Sequence, residues 1–285
     1  MSTKIKADIL VSLFLALSVA SVVQAEKPKL TDFKQNVYSQ WGEDGIIGKI
    51  FEIIGTTSKV AIEFGAADGF WLSNTANLWG NDPTWSGILI EANPNSFYYL
   101  IKNINPYSCI AVNRMVGTSQ QDSLEAILNE REIEFNIDLL SIDIDGNDYY
   151  IFQSLQKLRP RVIICEYNPS IPAHLDVYPN NGNYIGCSVA ALQRVAAEKG
   201  YTLVAITETN CFFVQDVDMP KFFEYDTDRD HLRIDRYTSY IICDYSGRYK
   251  VIGALDFMEP WGWTGTPAPD ECNGNILTLP KIVHY

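Results

Sequence analysis

The sequence predicts an α/β fold built on one mostly parallel sheet, and three observations carry that expectation. The candidate strands (60–64, 87–90, 109–112, 137–144 and 161–167) are apolar throughout rather than alternating, as expected when helices cover both faces of a sheet. They alternate along the chain with helix-like segments, which supply the crossovers that parallel strands require. From Val60 to Pro94 the order is a strand, a glycine turn, a short helix and a second strand ending in a carboxylate. Open α/β sheets grip nucleotide-like ligands with that order of parts, at the carboxyl ends of the strands. With 285 residues, 47% of them hydrophobic, the chain can bury a full core without metal or disulfide staples.

Taken in order, Lys4 and Lys6 precede an apolar run from Ile9 to Val23, and Val23-Gln24-Ala25 has the small residues of a signal-peptidase site. The run falls short of the roughly 20 apolar residues of a membrane span, so residues 1–25 read as a signal peptide, with an uncleaved anchor as the alternative. Export to a periplasm, a secretory lumen or the outside follows. Next, Tyr38 to Gly45 leads into a helix that Gly55 closes. The strand from Val60 runs into Glu63-x-Gly65-x-x-x-Gly69, and Ser73-Asn74-Thr75 support the start of the short helix. The strand 87–90 delivers Glu91, a helix follows over 95–102, and 109–112 is a third strand. Asp122 or Ser123 caps a helix through Leu128. A strand over 137–144, a helix over 149–158 and a strand over 161–167 complete the central part. A helix whose apolar face is Val189, Leu192, Val195 and Ala196 stops at Gly200. Strands 201–206 and 212–215 form an antiparallel hairpin, making seven strands with one reversed edge strand. Residues 26–215 are one domain, and 216–285, acidic and aromatic, are a loop-rich appendage packed on it.

The net charge of −13 repels phosphate backbones and anionic lipid surfaces, so nucleic acid is not expected as a partner, and no stable membrane span is expected once the signal is cleaved. Six cysteines in an exported chain allow disulfides without fixing their pairing, and Cys165, inside VIICEY, reads as a buried thiol. Neither a G-x-S-x-G elbow nor a P-loop is present.

The glycine pattern narrows the ligand. Dinucleotide folds use G-x-G-x-x-G to bind a pyrophosphate, whereas this chain has G-x-x-x-G preceded by Glu63, which repels phosphate and suits a cationic amino-acid ligand. Glu91 is placed to accept both hydroxyls of a ribose. The fourth strand ends in LLSIDIDGNDYYIF and the fifth in ICEYNP, which brings Asp143, Asp145, Asp148, Glu166 and Asn168 to the same edge. Asp143, Asp145, Glu166 and Asn168 offer only oxygen ligands, the set for Mg²⁺, Mn²⁺ or Ca²⁺. Helix capping and backbone amides are the alternative use of these acids. His174, in the loop after the fifth strand, is a candidate base. Trp71, Trp79 and Trp85 flank the glycine turn, either to stack on a substrate ring or to pack.

These motifs resemble the class I S-adenosylmethionine-dependent methyltransferases, and within them the FkbM type, whose fourth-strand signature reads roughly D-x-E-G-x-E. Here it stands as Asp143-x-Asp145-Gly146-x-Asp148, and YSQWGEDG, IEFGAADG, SNTANL and ILIEANP also look like that group. The resemblance covers about residues 38–215. It implies a Rossmann-like class I methyltransferase fold with S-adenosylmethionine as cofactor. By position, Glu63, Gly65, Ala66 and Gly69 would line the methionine and ribose end, Glu91 with Ala92 would hold the ribose, and Asp143 would sit near the methyl. Asp143, Asp145 and His174 are then the catalytic candidates, with Mg²⁺ or Mn²⁺ as a further expectation at Asp143, Asp145, Glu166 and Asn168. The implied reaction is O-methylation of a glycan or small polar metabolite. The alternative is a non-catalytic lumenal or extracellular binding protein that keeps the fold.

Overall fold

The computed structural model describes residues 26–144, 146–179 and 186–233, together with the backbone of three short strands at 239–243, 249–253 and 281–282. Its centre is a seven-stranded sheet made by β1 (Val60–Phe64), β2 (Ser86–Ile90), β3 (Cys109–Val112), β4 (Leu139–Ile142), β5 (Val162–Glu166), β7 (Tyr201–Ile206) and β8 (Asn210–Gln215). A two-residue strand, β6 (Val177–Tyr178), lies outside the sheet. The order is β3-β2-β1-β4-β5-β8-β7. β1 to β5 pair in parallel, and β8 runs against both β5 and β7, so the reversed strand lies one place in from that edge. The expected α/β, Rossmann-like fold is thus the one observed.

The largely apolar strands serve two cores. Ile62, Phe64, Ile163 and Cys165 enter one, beneath helices Leu124–Glu130, Asp148–Ser154 and Val189–Glu198. Their neighbours Ala61, Val162 and Ile164 enter the other, beneath helices Glu43–Ile54, Ala76–Asn81 and Pro94–Asn103. Each fully buried side chain of this kind stabilises the fold by about 1.5–3 kcal/mol relative to exposure. The helix starts are held by side chains: Asn93 accepts from Asn95 and Ser96 N–H, Ser123 from Ala126 N–H, and Ser188 from Ala191 N–H. Gly55, at φ 74°, closes the helix Glu43–Ile54 as its sequence requires.

Two elements fall short of their expected spans by more than one residue at an end. β4 covers Leu139–Ile142 instead of 137–144; just before it the Asp138 side chain accepts from Thr57 and Lys59. The helix after it stops at Ser154 instead of 158, because Glu125 Oε1 takes the N–H groups of Gln156, Lys157 and Leu158.

Residues 216–233 are woven into the domain. Asp218 pairs with Arg161 at 3.0 Å beside the start of β5, and Phe222 is fully buried. The short helix Arg229–Leu232 lies against β7, and Arg233 then donates to the Pro169 carbonyl (2.6 Å) at the other end of the sheet. Farther on, β9 (Ser239–Cys243) and β10 (Tyr249–Gly253) form an antiparallel hairpin, and β11 (Lys281–Ile282) pairs antiparallel with β6. Cys109, Cys165, Cys187 and Cys211 are free thiols, the last three fully buried, and no disulfide joins them. The expected signal segment, 1–25, lies outside the described residues, among which no helix is long and apolar enough to cross a membrane.

Candidate functional site

The carboxyl ends of β1, β2, β4 and β5 gather the residues that the sequence singles out. After β1 the chain turns at Gly65 (φ 75°) and Gly69 (φ 91°), both in the left-handed region that favours glycine. A Cβ on Gly65 would lie 2.0 Å from the Asp143 carbonyl oxygen, and one on Gly69 would lie 2.8 Å from Leu100 Cδ1. The missing side chains therefore make room for β4 and for the helix Pro94–Asn103, whereas the sequence reading assigned them to the approach of a ligand. Gly65 is exposed, and Ala66 is buried with its N–H on the Ile90 carbonyl (3.2 Å).

Glu91 ties the first two turns together. One carboxylate oxygen accepts the Ala67 N–H (2.8 Å) of the glycine turn, the other the Asn93 N–H (2.6 Å) of its own turn. Each oxygen keeps a further acceptor direction, and the residue is 8% exposed, so access is narrow. Ala92, beside it, is exposed. Glu63 points into the protein. Its carboxylate accepts Ser73 Oγ–H (2.6 Å), Thr75 Oγ1–H (2.7 Å) and the Asn74 N–H (2.9 Å). Burial raises its pKa above the ordinary 4.5, although Ser73, Thr75 and Asn74 pull it the other way. Glu63 thus fastens the far end of the loop that Glu91 fastens at its near end. Between them, Asp68 Oδ1 accepts the N–H groups of Phe70 (3.0 Å) and Trp71 (2.8 Å).

Asp143 follows β4 and is half-buried; Asp145 lies outside the described residues. Asp148 is buried and holds the intervening turn, accepting the N–H groups of Ile144 (2.8 Å) and Gly146 (2.9 Å). Glu166 ends β5 half-buried, opposite Asn210 of β8. Asn168 shapes the following loop: its Oδ1 accepts the Ser170 N–H (2.9 Å) and Oγ–H (2.6 Å). His174 is exposed farther along that loop. Among the described residues no group of three or more His, Cys, Asp or Glu is placed to hold a metal ion, so the expected Mg²⁺ or Mn²⁺ finds no support.

The segment from Val37 to Asp44, for which the sequence suggests no task, forms a wall along this edge. Asp44 Oδ2 gathers the N–H groups of Val37 (2.7 Å), Tyr38 (2.8 Å) and Ser39 (2.9 Å). Glu43 accepts the Trp41 N–H (2.6 Å) and Thr207 Oγ1–H (2.7 Å), which fastens the segment to the β7–β8 turn. At its other end the Tyr38 ring meets Phe70 of the glycine loop, 5.2 Å between centroids. Two adjacent acids at a helix start, just after a Ser-bearing turn, were the available signal.

The amino ends of the strands are built differently. Asp138, fully buried, accepts from Thr57 N–H, Thr57 Oγ1–H and Lys59 N–H and faces Arg161 at 3.5 Å. An open depression of about 690 Å³ also lies at this end, lined in part by Ser58, Ser86, Tyr107, Cys109 and Glu134. It holds none of the candidate residues.

No protein-family model matches the sequence, and no curated protein does. Among solved structures the chain is similar to the CurJ carbon methyltransferase, at 11% identity and a TM-score of 0.43 over 63% of this chain and 56% of that one. A putative caffeoyl-CoA O-methyltransferase from Staphylococcus aureus is similar at 14% identity and a TM-score of 0.40, over 60% and 81% of the two chains. Precorrin-6y C5,15-methyltransferase from Geobacter metallireducens is similar at 10% identity and a TM-score of 0.38, over 64% and 90%. At scores of this size the likeness adds nothing to what the strand order itself establishes.

Proposed function

We propose that the chain is an S-adenosylmethionine-dependent methyltransferase of FkbM type, acting on a hydroxyl oxygen of a glycan or small polar metabolite. The observation that carries this reading is Glu91, which directly follows β2 and at the same time grips the glycine turn after β1 through Ala67. A carboxylate there, with one acceptor direction left on each oxygen, fits a ribose diol. Neither Glu63 nor Glu91 pairs with a cation among the described residues; both take only neutral donors. An edge of that kind favours a ligand that is itself cationic. When bound, the cofactor supplies a methyl group carried on a sulfonium.

The protein's own part is to position the acceptor and take its proton. A neutral hydroxyl is a poor nucleophile, and Asp143, half-buried at the end of β4, is the residue proposed to accept the hydroxyl proton. His174, exposed on the loop after β5, is the second candidate for that task. The apolar run before Ala25 supports export, and a secretory lumen supplied with cofactor is the compartment that reconciles export with this chemistry. Calorimetric titration of the full chain with S-adenosylmethionine tests the reading. We expect a micromolar Kd that is indifferent to added Mg²⁺ and rises at least tenfold in Glu91→Ala. No binding to the folded wild type would overturn it.

A further inference from the structure

We infer that the chain pairs with a second copy of itself, about a two-fold axis, through the free edge of β3 and the outer face of the helix Pro94–Asn103. The inference does not depend on the methyltransferase reading. The two edge strands of the sheet are treated differently. The 3₁₀ helix Leu30–Phe33 and the helix Arg229–Leu232 lie against β7, whose residues Leu203 to Ile206 are no more than 3% exposed. In β3 only Val112 is buried, and Ile110 is 49% exposed. The Ser108 and Val112 carbonyls accept the N–H groups of Gly87 and Glu91 (both 3.0 Å), so these positions face β2. Ala111, out of phase with them, turns its N–H and C=O away from the sheet. The strand reads Cys-Ile-Ala-Val, with none of the charges or prolines that keep natural edge strands from pairing.

The surroundings of that edge say what covers it. From Ala92 to Gln121 the sequence has no Asp or Glu, the longest such stretch in a chain of net charge −13. It carries five of the eleven large hydrophobic side chains exposed among the described residues, Tyr98, Tyr99, Ile101, Ile110 and Met115, at 44–72% exposure. The Tyr98 and Tyr99 rings meet at 5.5 Å between centroids, and Lys102 Nζ donates to Tyr98 Oη (2.5 Å). The helix packs on β3, and Asn113, directly after the strand, donates to the Glu91 carbonyl (2.7 Å) just ahead of the helix. Of the acids nearby, Asp122 and Glu130 pair with Arg114 (3.6 and 3.1 Å), and Glu134 lines the amino-end depression with Ile110. Two copies of a strongly acidic chain meet with least repulsion where neither carries a carboxylate. Protein interfaces favour Tyr and Met and are depleted in Asp and Glu. Antiparallel β3 edges let the two Ala111 residues exchange N–H···O=C bonds about the axis, which joins two seven-stranded sheets. A lipid surface would bury the same side chains but offers the Ala111 N–H and C=O no partner. A stable pair buries about 800 Å² and roughly 20–30 residues a side, which is the size of this stretch.

The test is sedimentation velocity of the full chain across micromolar concentrations, using the wild type, Tyr99→Glu and Val217→Glu. The expected result is a wild-type dimer whose dissociation constant rises at least tenfold in Tyr99→Glu. Val217→Glu adds the same charge at another exposed apolar position and should stay within twofold of the wild type. Both side chains are exposed, so both variants should keep the wild-type Tm. Hydrogen exchange supplies the second readout: the Ala111 amide should exchange more slowly in the dimer than in the dilute monomer, and Tyr99→Glu should abolish the difference. A monomer at every concentration, a dimer equally tight in Tyr99→Glu, or an Ala111 amide no slower in the dimer would overturn the inference. So would monomers that bind phosphatidylcholine vesicles through Tyr99, which would assign the face to lipid.

Discussion

The two ends of the sheet both bury carboxylates, and they treat the charge in opposite ways. At the amino end, Asp138 faces Arg161, and Arg161 also meets Asp218 and the carbonyls of Ile54 and Gly55, so charge is balanced within the protein. At the carboxyl end, Glu63 and Glu91 receive hydroxyl and backbone N–H groups but no cation among the described residues. The first arrangement is complete in itself, since a paired and hydrogen-bonded ion repays its desolvation only against a partner. The second stiffens two turns and leaves negative potential for something that binds. Stability and ligand binding are accordingly separable, and substitutions at the two ends should separate them.

The largest effect belongs to the amino end. Asp138→Ala leaves Arg161 and three donors at a buried position, and we expect a loss of about 3–5 kcal/mol of stability, read by urea denaturation. The affinity of its folded fraction for S-adenosylmethionine should match the wild type; a weakened Kd would mean that the two ends are coupled. Glu91→Ala should invert that pattern, costing about 1–2 kcal/mol through two lost backbone bonds but at least tenfold in Kd.

A titration sharpens the comparison further. Burial raises Glu63 above its ordinary 4.5, so the native state holds this proton more tightly than the unfolded chain does. The stability it contributes is complete below about 4.5 and is lost as pH rises through the raised native value. Glu63→Gln has no such proton, so the wild type should lose stability relative to Glu63→Gln on going from pH 4 upward. Thermal unfolding of both across pH 4–8 measures it, and a constant difference would show that folding leaves the Glu63 pKa unshifted. Smallest is Ser73→Ala, which removes one of three donors to Glu63 and should cost about 1 kcal/mol by the same assay.

Sequence reading saw much of this fold because the strands announce themselves. β1, β3 and β7 begin and end where they are expected to, and their residues are apolar apart from Glu63 in β1 and Thr202 in β7. It overran where a distant carboxylate competes for the backbone. Glu125 ends the helix after β4 from 31 to 33 residues away, a contact that local periodicity does not encode. The candidate site was legible as positions more than as tasks. Glu91 directly follows β2 and Asp143 directly follows β4, while Glu63 faces inward and Asp148 and Asn168 serve their own turns. The Asp44 nest and the Glu43 tether to Thr207 were written in YSQWGEDG, but a donor 164 residues away cannot be read from a motif. The weaving of 216–233 into the domain was hidden for the same reason. It depends on Asp218 and Arg233 finding partners at opposite ends of the sheet.

Hydrogen exchange of the full chain with and without S-adenosylmethionine tests the separation of the two ends most directly. The account predicts slowed exchange at the amides that grip or flank the carboxyl-end acids, Ala67, Asn74 and Asn93, with no change at Thr57 and Lys59 beside Asp138. Protection confined to Thr57, Lys59 and the depression around Ser86 and Tyr107, with the glycine loop unchanged, would contradict it.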